Sequence, residues 1–456
     1  MKQHNDTAHS GSMPPATKTI SWQREIPLRY EADVAVVGGG IAGVCAACAA
    51  AREGAEVILV ERFGVTGGNA TVGGVANWSG ETAGQGAVFD EILAMQDEWH
   101  SLDPYPGPYE LAGQNRCFDH EILAVVLQEL LLRHKVRLLL HTRCVDAGMT
   151  RGRVGRVLVY GASGLEALHA GVYVDASGGG ELARAAGCAN LPSGPLGPLP
   201  PSMMYFVREL SEPAAPQLPP GWFNPVSRAK DLPMTSTWPA GPEAKALKLK
   251  VPGYDSGDTE SMTALEIRAR RRQWEVLDFY QRDFRGEETS LRNHRRNTKV
   301  GHWHFDHCSP IIGLRETRRI AGDYVLRVDD LRTGRAFDDA VARGTFYLDG
   351  MRPDEEKRTY LLSHEEQKVP PYHIPYRALI VRDADNLLVA GRCFSADQLA
   401  LSSARVMPTC AMMGQAAGIA AAWSAARQCV PREIDGPRLR RRLESLGANL
   451  ALAASN

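Results

Sequence analysis

A short apolar strand that runs into a glycine turn constrains this chain more than any other feature. Residues 33–43 read Asp33-Val34-Ala35-Val36-Val37-Gly38-Gly39-Gly40-Ile41-Ala42-Gly43. Val34 to Val37 are apolar and mostly β-branched, as a parallel strand covered on both faces requires. Gly38 permits the tight turn, Gly40 lets a phosphate approach without a Cβ in the way, and Gly43 lets the next helix lie close to the strand. That helix is expected from Ile41 to about Arg52, with free N–H groups and its partial positive end at the turn. Gly54 closes it and Val57-Ile58-Leu59-Val60 makes a second strand. Glu61 follows, 18 residues past Gly43, where a carboxylate can accept from a ribose hydroxyl. Strand, turn, helix, strand and acid in this register predict dinucleotide binding. The alternatives are an ordinary glycine-rich turn or a membrane helix over 32–51. Gly38-Gly39-Gly40 would weaken such a helix, which also lacks anchoring flanks.

The chain has 456 residues, too many for one ordinary core, so two domains or one domain carrying an insertion are expected. A net charge of −1 creates no global field for nucleic acid or an anionic membrane. The nine cysteines are odd in number and scattered, unlike a disulfide framework. Residues 1–25 are polar and contain no apolar core of a signal peptide, which predicts a cytoplasmic protein.

Residues 1–30 are expected to be a disordered tail. A helix is expected over 119–134, strands at 136–140 and 154–160, and a strand at 172–175 that enters Ala176-Ser177-Gly178. Between Pro192 and Pro252 lie 14 of the chain's 28 prolines. Proline lacks the N–H that helices and inner strands need, so 192–252 is expected to be irregular, a surface wrap or a lid. A helix is expected at about 262–285, with Trp274, Leu277, Tyr280 and Phe284 at three-to-four spacing. Sheet character returns at Leu387-Leu388-Val389-Ala390-Gly391, and 409–427 is a small-residue helix. This order predicts a discontinuous cofactor domain over 31–190 and 380–430, a substrate or cap domain over 191–379, and a terminal helix and tail over 431–456. No second complete GxGxxG unit is present, which argues against a separate nicotinamide domain.

Three features favour a flavin. A glycine loop, Gly67-Gly68-Asn69-Ala70-Thr71, follows Glu61 and Arg62. The last strand ends in Gly391-Arg392. The last long helix carries Gly414-Gln415-Ala416-Ala417-Gly418, whose small residues allow backbone contact with a ring or, equally, close packing on the sheet. A reduced flavin carries negative charge that a helix N-terminus or an arginine stabilises.

These blocks, with Gly313-Leu314-Arg315-Glu316-Thr317-Arg318-Arg319-Ile320-Ala321-Gly322-Asp323-Tyr324 and Ile374-Pro375-Tyr376-Arg377, resemble the bacterial FAD-dependent oxidoreductases of the glutathione-reductase/fumarate-reductase-like superfamily. The resemblance runs from about 33 to 427. It implies an α/β fold, a Rossmann-like FAD-binding domain of glutathione-reductase type with an inserted α+β substrate domain, and FAD bound in an extended pose. The cofactor-binding positions so marked are Gly38, Gly40, Ile41, Ala42, Gly43, Glu61, Arg62, Gly67, Gly68, Asn69, Ala70, Thr71, Val145, Ser177, Gly178, Gly391, Arg392, Gln415, Ala416 and Gly418. Many members place an acid after the last strand's glycine. Arg392 stands there instead, which turns it toward the flavin or a substrate anion.

For catalysis, His302-Trp303-His304-Phe305-Asp306-His307-Cys308 attracts attention. Imidazole and thiolate suit zinc, but strand alternation puts His302, His304 and Asp306 on one face and His307 on the other, so no metal is expected. The remaining readings are hydrogen-bonded strand histidines or an acid–base role beside the flavin, for which a histidine is suited. His373 is an equal rival. Arg315 lies in a run that either clamps a carboxylate or pairs with Glu316 structurally. Residues 268–299 hold ten Lys or Arg against five acids. They read as a solvated helix face, with nucleic-acid binding as the rival. Cys45 and Cys48 read as small core residues. The expectation is an FAD-dependent oxidoreductase that takes a hydride from a small organic metabolite; a tRNA-modifying flavoprotein and one with purely structural FAD are the alternatives.

Overall fold

In a computed structural model that describes residues 19–103, 114–241, 243–283, 291–292 and 300–452, the chain enters its first strand at Leu28. Leu28, Arg29 and Tyr30 therefore belong to the sheet and not to the expected tail; residues 1–18 lie outside the described residues. β1 (Leu28–Val37) passes through the glycine turn into α1 (Ile41–Arg52) and β2 (Val57–Val60). Next come β3 (Asn77–Glu81), α2 (Ala87–Glu98), β4 (Gln114–Cys117) and α3 (His120–Arg133). Then come β5 (Arg137–Leu139), β6 (Arg143–Thr150), β7 (Arg153–Gly161), β8 (Gly164–Asp175) and the short α4 (Glu181–Ala185). The main sheet has the order β5-β2-β1-β8-β7-β6. β5, β2, β1 and β8 run parallel, while β7 and β6 form an antiparallel extension. Val34 to Val37 and Val57 to Val60 are all buried, as their unbroken apolar runs require.

The proline-rich region is more regular than its composition suggests. It contains β9 (Ser202–Glu209), β10 (Thr235–Gly241) and β11 (Ala244–Lys250). Its prolines fall mainly between these strands. Pro239, the exception, precedes a register shift in β10, beyond the two residues that pair with the neighbouring edge strand. α5 (Thr259–Asp283), β12 (Leu291–Arg292) and β13 (Trp303–Cys308) complete a five-stranded sheet of order β12-β10-β11-β9-β13. One face of this sheet buries Met203, Tyr205, Val207, Leu247 and Leu249 against Leu265, Val276, Leu277 and Tyr280 of α5. The opposite face carries Met204, Phe206 and Ala246, packed with Val75 from the first half of the chain. Phe284, expected on the same helix, lies outside the described residues.

The chain then returns through α6 (Val328–Arg332), β14 (Ala340–Gly344), β15 (Tyr372–Pro375) and β16 (Leu387–Val389). β16 adds to the main sheet, parallel to β8 at Tyr173 to Asp175. α7 (Gln398–Ala404), α8 (Met407–Arg427) and α9 (Gly436–Ser445) follow. α8 lies chiefly on α1 and also meets the main sheet at β1 and β8. A Cβ on Gly414 would stand 2.1 Å from Ala42 O, and one on Gly418 the same distance from Ala46 O. The small residues of α8 thus permit helix–helix contact. Cys45 and Cys48 are wholly buried in that packing. No helix among the described residues is long and apolar enough to cross a membrane.

Candidate functional site

Gly38, Glu61, Arg62, Cys144, Ser177 and Glu181 bound a cleft at the carboxyl ends of β1 and β2. Glu61 is 5% exposed. Its Oε2 accepts from Gly39 N at 2.6 Å and its Oε1 from Phe63 N at 2.9 Å. Burial pushes its carboxyl pKa up, against the opposing pull of those two backbone hydrogen bonds. The second glycine loop lies on the first. Gly67 N donates to Gly39 O at 2.7 Å, and a Cβ on Gly68 would meet Gly40 Cα at 3.2 Å. Thr71 closes this loop by donating to Thr66 O at 2.6 Å, and Ala70 is fully buried beneath it.

The three fingerprint glycines have different reasons. Gly38 has φ +100°, and a Cβ there would stand 2.4 Å from Ser177 Cα. A Cβ on Gly43 would stand 1.8 Å from Gly38 O. The protein's own packing explains both. Gly40 has φ −66°, open to any residue, and its Cβ would meet nothing within 4 Å. The space a side chain would fill there is the space a phosphate needs. α1 begins at this point with no side-chain cap and no acid in its first turn, leaving its N-terminal end to an anion. These residues fit a dinucleotide.

Asp175, at the end of β8, organises the opposite wall. It is fully buried and accepts from Ser177 N at 3.0 Å, Ser177 Oγ at 2.6 Å and Ala183 N at 2.9 Å. Ser177 Oγ in turn accepts from Glu181 N at 2.9 Å. Glu181 then pairs with Arg62 at 3.0 Å and Arg143 at 3.6 Å, so Arg62 is held beside the cleft by an acid. The Val145 side chain, next to Cys144 of the cleft wall, points outward and is exposed.

A second cavity, of about 320 Å³, lies between the two halves of the chain. Asn69 and Arg392 reach it from the cofactor side, Trp238 and Lys248 from the five-stranded sheet, and Arg315 from the intervening loop. Val406 and Met407, at the uncapped start of α8, complete its rim. Gly391 turns with φ +77°, and Arg392 then reaches past Gly178 to donate to Leu314 O, which also accepts from Asn69 Nδ2 at 2.9 Å. Arg405 pairs with Asp349 at 2.8 Å inside this cavity. Burial among Arg315, Arg405 and Arg358 pulls the Lys248 ammonium down to about 7. Arg315, buried beside Arg405, is lowered to about 10.

The histidines expected at the chemistry are elsewhere. His302 Nδ1 meets Leu210 O at 3.0 Å, and His304, exposed, meets Gln217 Nε2 at 3.3 Å. His302 ends the turn before β13 and His304 lies on that edge strand, and neither lines the cavity. A register shift between Phe305 and His307 also breaks the alternation assumed for this strand. Asp306 instead holds Arg208 at 2.9 Å, and His307 stacks on Phe206 with ring centroids 4.3 Å apart. His373 is 2% exposed; its Nδ1 accepts from Phe337 N at 3.1 Å and its Nε2 donates to Leu450 O at 2.7 Å. With both nitrogens used by backbone, it ties the chain's end to β15 and has no lone pair for a substrate. Among the described residues no three His, Cys, Asp or Glu side chains gather as a metal would need.

Two further assignments change. Gln415 Oε1 accepts from Val88 N at 3.0 Å at the start of α2, away from both clefts. Gly418 serves the contact with α1, beside the wholly buried Ala416. Glu316 pairs with Arg319 at 3.1 Å and accepts from Leu199 N and Gln398 Nε2, the structural alternative for that run. Arg315, one residue earlier, faces the cavity. Lys248 was missed. The signal available was Lys248 and Lys250 alternating with Leu247 and Leu249 on a strand whose neighbour, β9, is apolar on both faces.

A parallel sheet with a glycine turn at its carboxyl edge, a carboxylate after the second strand and a cavity against an inserted sheet define a dinucleotide-binding α/β flavoenzyme. The chain belongs to the FAD dependent oxidoreductase family, whose model matches residues 33–191 and 203–443. It is an FAD-dependent oxidoreductase, and its cofactor is FAD. No curated protein sequence matches it. Among solved structures it is similar to a geranylgeranyl bacteriochlorophyll reductase-like protein from Thermoplasma acidophilum, with 11% identity, 91% of this chain and 83% of that one covered, and a TM-score of 0.48. It is also similar to the OxyS anhydrotetracycline hydroxylase from Streptomyces rimosus, at 14% identity, 91% and 65% coverage and a TM-score of 0.44. The flavin-dependent brominase Bmp2 gives 13% identity, 91% and 83% coverage and a TM-score of 0.44.

Proposed function

We propose that this enzyme oxidises a small organic metabolite by hydride loss, with FAD seated between the Glu61 cleft and the Arg392 cavity. In this reading Gly38, Gly40, Ile41, Ala42 and Gly43 present backbone to the pyrophosphate, and Glu61 takes the ribose. Arg62 borders the adenine. Gly67, Gly68, Asn69, Ser177, Gly178, Gly391 and Arg392 line the path to the cavity. FAD, once bound, supplies a two-electron acceptor for the hydride.

The observation that carries the reading is the cavity between the two halves, which Asn69 and Arg392 enter from the cofactor side and Lys248, its ammonium lowered to about 7 by burial, from the facing sheet. The neutral Lys248 amine accepts the proton from the substrate O–H or N–H as the neighbouring carbon gives up its hydride. It takes the role first expected of a histidine. Mixing the FAD-loaded enzyme anaerobically with a metabolite panel tests this by loss of the visible flavin band. Lys248→Met should keep its FAD and slow that loss by about 10²–10⁴-fold, the usual contribution of a positioned base. A chain that takes up no FAD, or flavin that no metabolite bleaches, overturns the proposal.

The arginines of α5 are engaged within the chain, which supports a small-molecule partner over RNA. Arg270 pairs with Glu266 at 2.6 Å, Arg272 with Glu275 at 2.9 Å and Glu356 at 2.8 Å, and Arg282 with Asp278 at 2.6 Å. The rest of the basic stretch, 284–290 and 293–299, lies outside the described residues. All nine cysteines are free, in keeping with a reducing cytoplasm.

A further inference from the structure

Resting on the reading above, we infer that the substrate is a small carboxylate, its anionic group seated between Lys248 and Arg315. The donor set of the cavity points there. Lys248 and Arg315 have no ion-pair partner among the described residues, because the cavity's carboxylate, Asp349, is bound by Arg405 at 2.8 Å. Two neutral donors join them. Ser202 and Trp238 line the same space, and Ser202 Oγ and Trp238 Nε1 are buried without a hydrogen-bond partner. Ser202 is 3% exposed. A buried polar atom left unpaired is destabilising and an unpaired buried charge more so, and a ligand that completes such a set removes that cost.

Arg392 is set apart from this group. It reaches the cavity from the cofactor side and donates to Leu314 O, whereas Lys248 and Arg315 are electrostatic neighbours of each other. Arg315 is already steadied by a hydrogen bond to Pro200 O, and its planar fork suits bidentate contact with a carboxylate. A cavity of about 320 Å³ is near the lower limit for ligand sites, which keeps the substrate small.

The test titrates the FAD-loaded enzyme with malonate, malonamide and inorganic phosphate and follows the visible flavin spectrum. Malonate should perturb the spectrum saturably and malonamide, its uncharged analogue, should not. Arg315→Met should weaken malonate binding by about 10–100-fold, the worth of a charge-assisted hydrogen bond, while Arg315→Lys recovers part of it. Retained FAD in both variants shows that each is folded. Phosphate binding more tightly than malonate would overturn the carboxylate in favour of a phosphate ester. FAD that stays bound while malonate leaves the spectrum unchanged would overturn the inference and leave the oxidoreductase reading standing. Failure to bind FAD at all strikes the underlying reading instead.

Discussion

Gly39 N donates a 2.6 Å hydrogen bond to Glu61 Oε2, so the acid that ends β2 ties down the middle of the glycine turn that ends β1. With its other oxygen on Phe63 N, the carboxylate spans the two loops from which the cleft is built. Glu61→Gln removes the charge from this contact. The expected outcome is FAD binding weakened by about 10–100-fold, equivalent to the 1.5–3 kcal/mol of a hydrogen bond to a charged group. Equilibrium titration of the FAD-free protein measures it. Unchanged affinity would show that Glu61 neither orders the turn nor meets the cofactor.

Gly414 and Gly418 make a separate prediction about stability. A Cβ at either position would stand 2.1 Å from an α1 carbonyl, so the helices would have to part. Gly414→Val should destabilise the protein by about 1–3 kcal/mol or more, the usual range for overpacking. Because α1 starts at the glycine turn, FAD affinity should fall in parallel. Denaturant melts and FAD titration of the same variant check both effects.

The cofactor half was legible because its determinants are local. A positive φ at Gly38, a helix packed on Gly43 and a carboxylate after a buried strand are written in adjacent residues. The proposed catalytic half was not, because its cavity is assembled from β11, the loop carrying Arg315 and the start of α8. Lys248 reads in sequence as one charge of an ordinary alternating strand. Pairing places it opposite Met204 of β9, on the sheet face turned toward the cofactor half. His302 and His304 drew attention by clustering in sequence, but His302 sits in the turn before β13, and β13, which holds His304, pairs on one side only. Proline content misled about 192–252 for a related reason: it excludes regular structure at the prolines themselves, and the strands lie between them.

His373 should prove structural. His373→Ala would leave Phe337 N and Leu450 O without their ring partners, at a cost of about 1–3 kcal/mol for each group left unpaired in the interior. Reduction of bound FAD by substrate should be unchanged below the melting transition. Burial lowers the His373 pKa below its ordinary value, so the neutral ring's contribution is present above that value and is lost as pH falls through the folded pKa. His373→Gln should blunt this acid sensitivity. Turnover lost without loss of stability would restore His373 as a catalytic candidate.

Breaking the buried pair of Glu316 and Arg319 should be more damaging. The two side chains are 0% and 3% exposed and lie 3.1 Å apart. Arg319 also donates to Ala396 O at 2.8 Å and to Pro192 O, so this pair joins the cap to the loop before α7. Glu316→Gln leaves the guanidinium without a counter-charge and should cost about 3–5 kcal/mol. Thermal melts of the FAD-loaded variant give the measurement, and a shift within error would mean that water or backbone compensates the charge.

Lys248 gives the pH dependence, and its two roles pull in opposite directions. Its ammonium is lowered to about 7. Below that value the group carries its proton and cannot accept another, so flavin reduction at limiting substrate should slow on the acid side of about pH 7, and the saturated rate should begin to fall at higher pH because a bound carboxylate favours the protonated amine. The same proton adds a positive charge beside Arg315, so substrate binding should tighten over the range in which the rate declines. Stability follows the depressed pKa. The unfolded chain holds this proton up to the ordinary lysine value, whereas the folded chain releases it near 7. The wild type should therefore gain stability relative to Lys248→Met as pH rises from about 7 toward that ordinary value and lose the advantage on acidification. A saturated rate that stays flat while the binding constant still titrates would exclude Lys248 as the proton acceptor, because a group that only bound substrate would move affinity and leave the saturated rate alone.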